Sequence, residues 1–325
     1  MEKINNIKYL YVLSSDNSDL YYEQALLSIT SLKRKNPDSF VSLLTDDKTS
    51  EYLRNDSKKN IIFNLLDEFK EITFTPDIGK KYRSRWLKTS MRKHIDGDFL
   101  FLDCDTIIAE KLKIQKEINL GAVLDIHLPL QKRFKDKHYR DIHIQRDIKC
   151  KFTTASHNYF NSGLILCRDI PSNHNFFDLW HSYWMSGVEY GILEDQPSFS
   201  MANIVLGNII TELDGTWNCQ LVHDGLFYLG IAKIIHYYNV IDNKKNYIFA
   251  KLSTYETIKK NGFIPKWIYK FLKHPRAAFL LGNKFQNQNL IDRLFFLILI
   301  FISTIPLNSV FFIFSKIKRY IDNFD

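Results

Sequence analysis

Phe99-Leu100-Phe101-Leu102-Asp103-Cys104-Asp105 is the stretch that decides how this chain is read. Four consecutive apolar residues describe a strand buried on both faces, and two acids stand where that strand must end. Side chains two apart on a strand point the same way, so both carboxylates project into one space. Close carboxylates repel unless a cation joins them. A hard divalent ion, held by carboxylate oxygens with its other positions open to phosphate, is suited to that place. Acids that merely cap a strand at the surface are the alternative, and Asp-x-Asp alone does not separate the two.

The flanking sequence places this strand in a sheet. Residues 7–13 form an apolar strand ending in Ser14-Ser15-Asp16, and Tyr22, Leu26, Ile29 and Leu32 follow at helical spacing. Asn36-Pro37 stops that helix, and a strand over 40–44 leads to Asp46-Asp47. A second helical pattern over 82–95 carries Leu87, Met91 and Ile95 on one face and feeds the 99–102 strand through Asp96-Gly97-Asp98. Strands are expected again at 121–124, 159–167 and 233–238, with helices over 176–185 and from Pro197, well placed in a first turn. Such alternation predicts an α/β fold with a mostly parallel sheet flanked by helices. Ligands of these sheets lie beyond the carboxyl ends of the strands, where both Ser14-Ser15-Asp16 and Asp103-Cys104-Asp105 fall.

The 325 residues suffice for one large domain with an appendage, or for two domains. A net charge of +8 favours anionic partners such as sugar nucleotides or phospholipid surfaces. Nucleic acid is not expected, since no recognised binding motif accompanies the charge. The four cysteines, Cys104, Cys150, Cys167 and Cys219, show neither C-x-x-C nor zinc-like grouping, which suits a reducing compartment. The N-terminal residues lack a signal-peptide pattern, so a cytoplasmic location is expected. Residues 131–151 are basic and nearly featureless, read as a solvated loop or as a lid over an acceptor.

Beyond residue 254 the character changes. Trp267, Tyr269, Phe271 and Phe279 are interleaved with Lys266, Lys270, Lys273, Arg276 and Lys284, a mixture suited to a membrane interface. Residues 294–314 carry no charge, but Pro306, Asn308 and Ser309 interrupt them. The division expected is therefore a catalytic domain over 1–254 and a helical membrane-attachment region over 255–325. That region would lie on the inner face of the plasma membrane, with Lys316, Lys318 and Arg319 near anionic headgroups; a single spanning helix is the second choice.

Four pieces occur in order: Phe101-Leu102-Asp103-Cys104-Asp105-Thr106, Phe160-Asn161-Ser162-Gly163-Leu164, Asp195-Gln196-Pro197 and Ile235-His236-Tyr237. Together they resemble the sugar-nucleotide glycosyltransferases of the GT-A fold, above all family eight, the group of glycogenin and the lipopolysaccharide galactosyl- and glucosyltransferases. The resemblance covers roughly residues 7–239. It implies a hexose moved from a UDP-sugar donor to a glycan or lipid-linked acceptor, as in bacterial surface polysaccharide or lipopolysaccharide synthesis. Asp103, Asp105 and His236 would be metal ligands, and this donor set suits Mn2+, with Mg2+ second. Ser14, Ser15, Asp16, Arg85 and Lys88 would serve the nucleotide. Asn161, Asp195 and Gln196 would surround the transferred sugar, and Trp217-Asn218 would line the acceptor side.

The resemblance also implies an aromatic after the first strand, either Tyr21 or Tyr22, and retention of anomeric configuration. Inversion would instead ask a carboxylate such as Asp195 to act as base. One departure is visible. Where the family continues to a lysine that touches the diphosphate, this chain runs Tyr237-Tyr238-Asn239-Val240, leaving Lys244 or Lys245 as the nearest substitutes. A nucleotidyltransferase on the same fold and a membrane-surface scaffold without turnover are the other readings.

Overall fold

A computed structural model describes residues 7–75, 78–127, 158–221, 226–237 and 248–280. The main sheet has seven strands in the order β3-β2-β1-β4-β7-β6-β8. These are β1 (Lys8–Leu13), β2 (Phe40–Asp46), β3 (Glu68–Ile72), β4 (Phe99–Leu102), β6 (Leu120–Leu124), β7 (Phe160–Cys167) and β8 (Thr211–Leu213). All neighbours run parallel except β7, which is antiparallel to both β4 and β6. Helices α1 (Tyr21–Lys35), α2 (Asp47–Asn55), α3 (Lys80–Ser90), α4 (Pro171–Glu189) and α5 (Gln196–Val205) flank it, giving the mixed α/β architecture expected from the alternation. β4, a continuous apolar run, and β7, which carries Asn161 and Ser162 ahead of its apolar half, are both buried at every position.

Each face of the sheet carries its own core. One joins α1 to β1, β2 and residues far down the chain, including Ile235, Tyr255 and Phe279. The other packs α3, α4 and α5 around Phe99, Phe176, Phe177, Trp180 and Phe199. Trp180 and Phe199 meet nearly edge to face at 4.7 Å, an arrangement favoured by the ring quadrupoles. Asp46 closes β2 and starts α2, accepting from Thr49 N at 3.1 Å and pairing with Arg83 of α3 at 3.0 Å; a capping carboxylate satisfies donors that the helix leaves open.

A second sheet brings distant residues to the main one. β5 (Thr106–Ile108) follows the acidic pair at once, lies antiparallel to β10 (Ile234–His236), and β10 runs parallel to β9 (Cys219–Gln220). The register sets His236 opposite Thr106 and Ile235 opposite Cys219.

The boundary expected at 254/255 falls inside α6 (Leu252–Asn261). Tyr255 and Ile258 of α6, Ile268 of α7 (Lys266–Phe271) and Phe279 of α8 (Pro275–Leu280) are fully buried in the first core. Residues 255–280 therefore pack onto the domain: Phe279, expected at an interface with lipid, is interior, whereas Trp267 and Tyr269 are exposed. The spacing of Tyr255 and Ile258 makes one face of α6 apolar, and that face covers α1. No helix among the described residues is long and apolar enough to cross a membrane. The basic run 131–151, Cys150, Lys244, Lys245 and residues 294–314 with their flanking cations lie outside the described residues.

Candidate metal and nucleotide-sugar site

Three strand ends converge beyond β4. Asp103 N donates to Gly163 O at 2.8 Å, which fixes the acid against the start of β7. Tyr237 N donates to Asp105 O at 3.1 Å, which fixes the second acid against the end of β10. Asp103, Asp105 and His236 can each offer one ligand atom with all three within 4.8 Å of one another. His236 Nε2 lies 3.1 Å from Asp105 Oδ1, and Nδ1 lies 2.9 Å from Asn218 Oδ1. With Nδ1–H donated to an amide oxygen, Nε2 faces the acids, the tautomer a metal requires. Gly163 makes the convergence possible: a Cβ there would collide with the His236 ring and lie 2.8 Å from Asn161 Oδ1 and Asp103 Oδ2. Two carboxylates and one oriented imidazole fit a divalent ion in a site that leaves other positions open. Burial would lower the His236 pKa, but the Asp105 carboxylate overrides this and raises it; Asp105 in turn is held low by His236 against its own burial.

Beside the acids lies a shelf of polar side chains. Asn161 Nδ2 donates to Asp125 Oδ1 at 3.0 Å and to Gln196 Oε1 at 3.2 Å, while its Oδ1 accepts from Gly163 N and Asn218 Nδ2, both at 2.9 Å. Asp195, 5 % exposed, accepts from Ser162 Oγ at 2.6 Å and pairs with Arg85 Nε at 3.1 Å and Lys88 Nζ at 3.4 Å. Burial opposes its ionisation, yet Lys88 and then Arg85 hold its carboxyl far below the usual range. Lys88 Nζ also lies 3.0 and 3.2 Å from the two oxygens of Asp103. Asn161, Asp195, Gln196, Arg85, Lys88 and Asn218 are thus brought to the three metal-type ligands from four separate parts of the chain.

A cleft with roughly 880 Å³ of open space adjoins them, walled by Ser14, Tyr21, Lys80, Lys81, Arg85, Asp103 and Asp105 among others. Ser14 is 4 % exposed and its Oγ has no partner, a cost that a ligand hydrogen bond would remove. Of the two aromatic candidates only Tyr21 faces this cleft; Tyr22 is buried and donates to Lys59 O at 2.9 Å.

Ser15 and Asp16 do not wall the cleft. Ser15 Oγ donates to Asp19 at 2.7 Å, and Asp16 accepts from Ser18 Oγ and pairs with Lys80 at 2.9 Å. Those contacts lower the Asp16 pKa to about 2, the Ser18 hydroxyl contributing most. The pair shapes the rim through Lys80 instead. Trp217 is a correction as well. It packs in the first core beside Leu100, Leu166 and Leu213, with the Lys233 ammonium 4.6 Å from its ring. Both stand in the turn that precedes β9, where Trp217 N donates to Asp214 O at 3.1 Å, and from it Asn218 reaches His236 while Trp217 turns into the core.

Two functional side chains escaped sequence reading. Asp125 ends β6 as Asp103 ends β4, and an acid just past an apolar strand was the available signal. The turn after it places Ile126 and His127 at positive φ, 51° and 60°, which a β-branched residue adopts only under constraint. Gln220 supplies the constraint: its Oε1 accepts from Ile126 N at 2.6 Å, its Nε2 donates to Leu124 O at 2.9 Å, and its backbone N donates to His127 Nε2 at 3.0 Å. Ser162 is the second; it stood inside a quoted motif, but its bond to Asp195 depends on tertiary placement.

No family model and no curated protein matches the chain. Among solved structures it is similar to mouse xyloside xylosyltransferase 1 in its apo form, at 16% identity and a TM-score of 0.45, over 71% of this chain and 98% of that one. It is also similar to the galactosyltransferase LgtC in complex with donor and acceptor sugar analogues, at 12% identity and a TM-score of 0.49, over 81% of this chain and 99% of that one. An active-site mutant of LgtC aligns at 14% identity and a TM-score of 0.46, over 71% of this chain and 87% of that one.

Proposed function

We propose that the chain is a metal-dependent glycosyltransferase that moves a hexose from a UDP-sugar to a glycan or lipid-linked acceptor. The observation that carries this is the placing of Asp103, Asp105 and His236 within 4.8 Å, between an open cleft and the Asn161–Gln196–Asp195 shelf. In this reading Asp103, Asp105 and His236 hold Mn2+, or Mg2+ as second choice. The ion, when bound, neutralises charge developing on the leaving diphosphate. Tyr21 lies against the base, the unpartnered Ser14 hydroxyl bonds base or ribose, and Arg85 and Lys88 face the phosphates. Asn161 and Gln196 orient the sugar, with Asp125 fixing the Asn161 amide. Asp195 stays ionised between Lys88 and Arg85 and steadies a cationic anomeric carbon, as the retention implied by the family resemblance would ask.

The proposed setting is the inner face of a bacterial plasma membrane, in surface polysaccharide or lipopolysaccharide-type synthesis, with the catalytic domain extended through residue 280 and attachment through the exposed side of 263–273 and the residues beyond 280. Exposed Phe263, Trp267 and Tyr269 beside Lys266, Lys270 and Lys273 support the attachment.

A thermal-shift screen of sugar nucleotides with and without Mn2+ tests the activity class. Stabilisation by a UDP-sugar only when the ion is present is the expected result. Equal stabilisation without the ion, or none by any sugar nucleotide, would overturn it.

A further inference from the structure

Lys88 is a buried ammonium, 3 % exposed, set between the two acidic groups of the site. Its Nζ touches both oxygens of Asp103, at 3.0 and 3.2 Å, and one oxygen of Asp195, at 3.4 Å. Around the ligands stand three carboxylates, Asp103, Asp105 and Asp195, and two cations, Lys88 and Arg85, net one negative charge with His236 in the neutral form that a metal ligand must have. The other lysines on the cleft wall have partners of their own, Lys80 with Asp16 and Asp19, Lys81 with Glu194. A divalent ion arriving alone turns the site from one negative to one positive charge, at low dielectric and beside an ammonium that already holds one of its ligands. A nucleoside diphosphate brings at least two negative charges and removes that excess.

We propose that Lys88 is a positioning residue that makes the site accept its cation and its nucleoside diphosphate together, by opposing a cation bound alone. The proposal rests on the reading of Asp103, Asp105 and His236 as the metal site. Arg85 does not duplicate the role, because its ion pair, at 3.1 Å, is with Asp195, and Asp103 attracts it only at longer range. The neutral replacement Lys88→Met keeps length and packing against Phe101, whose ring lies 5.2 Å from Nζ.

The experiment titrates the full chain with MnCl2 alone and with MnCl2 in the presence of UDP, reading free Mn2+ by electron paramagnetic resonance. For the unaltered protein the ion is expected to bind at least ~10-fold tighter with UDP than without, the scale of one surplus charge a few ångströms away under protein-like screening. In Lys88→Met, binding of Mn2+ alone should tighten by ~10-fold or more, and the gain from UDP should shrink in the same proportion. Lys88→Arg, which keeps the charge, should restore the original pattern; a role in packing alone would not predict this rescue. Unchanged or weaker binding of Mn2+ alone by folded Lys88→Met overturns the proposal. If that variant does not fold, Lys88→Gln answers the same question, and an unaltered protein that binds Mn2+ equally well with and without UDP overturns the proposal without any variant. Failure of the unaltered protein to bind Mn2+ under either condition is a different result, and it removes the metal site itself.

Discussion

Lys59 and Lys88 are both almost fully buried beside carboxylates, yet their surroundings differ. Lys59 pairs with Glu23 alone, under the rings of Tyr22 and Tyr52, in the core that α1 and the late helices share. One oxygen of Glu23 has no partner. Lys88 is shared between two carboxylates from different elements, one of which, Asp103, lines an open cleft. A closed, one-to-one pair locks two segments together, whereas a cation divided between acids at a cleft is available to a ligand. Removing one partner of a closed pair strands a charge; altering the shared group retunes a site.

That contrast can be broken in four ways. The largest effect belongs to the cleft: Asp105→Asn should lower sugar transfer by at least about 10³-fold, the scale of a lost electrostatic group at the reacting centre. Cation-dependent UDP binding should vanish in calorimetry while the circular dichroism spectrum is kept; nucleotide affinity equal to that of the parent would reject the assignment. Next, Lys59→Met should cost ~3–5 kcal/mol in urea unfolding, with turnover per folded molecule unchanged. Adding Glu23→Leu should return most of that loss, and a double variant as unstable as the single would show that the pair is not what matters there.

Gly163→Ala should come third. Its methyl group would press His236, Asn161 and Asp103 apart, and a displacement approaching 1 Å can cost ~10²-fold in rate. A crystal structure of an active Gly163→Ala protein with its ligands unmoved would contradict the tight convergence. The smallest effect concerns pH in the metal-free protein. His236 has a folded pKa raised above its ordinary value, so its contribution is complete below about 6.5 and is lost as pH rises through the raised value. Asp105 has a lowered one, so its contribution is present above about 3.9 and is lost as pH falls through the lowered value. The melting temperature should therefore decline on the alkaline side of 6.5, and His236→Gln should flatten that limb; a parent and variant with parallel curves would deny the coupling.

Much of the site was legible because its acids close long apolar runs. The 99–102 and 160–167 strands announce themselves, and Asp103, Asp105 and Asn161 inherit their places from them. β5 and β9, of three and two residues, are too short for any period and stayed hidden, whereas β10 lies inside the strand expected over 233–238. Without them, the meeting of His236 with Asp105 comes from the family resemblance alone. β3, Glu-Phe-Lys-Glu-Ile, is too charged to read as sheet, and α2 carries mostly polar residues. Trp217 and Phe279 were misplaced for different reasons: the resemblance set Trp217 on the acceptor side and the basic, aromatic mixture set Phe279 at a lipid interface, and packing puts both in the interior.

Because β10 reaches the acids through antiparallel pairing with β5, the imidazole's address is written in strand register, 131 residues from Asp105. Side chains alternate along a strand, so sliding β10 by a single position would present Ile235 or Tyr237 where His236 now stands. One inserted residue between Asp105 and Ile108 would disarm the centre while every ligand remained in the sequence, a lesion that no inventory of catalytic residues would reveal.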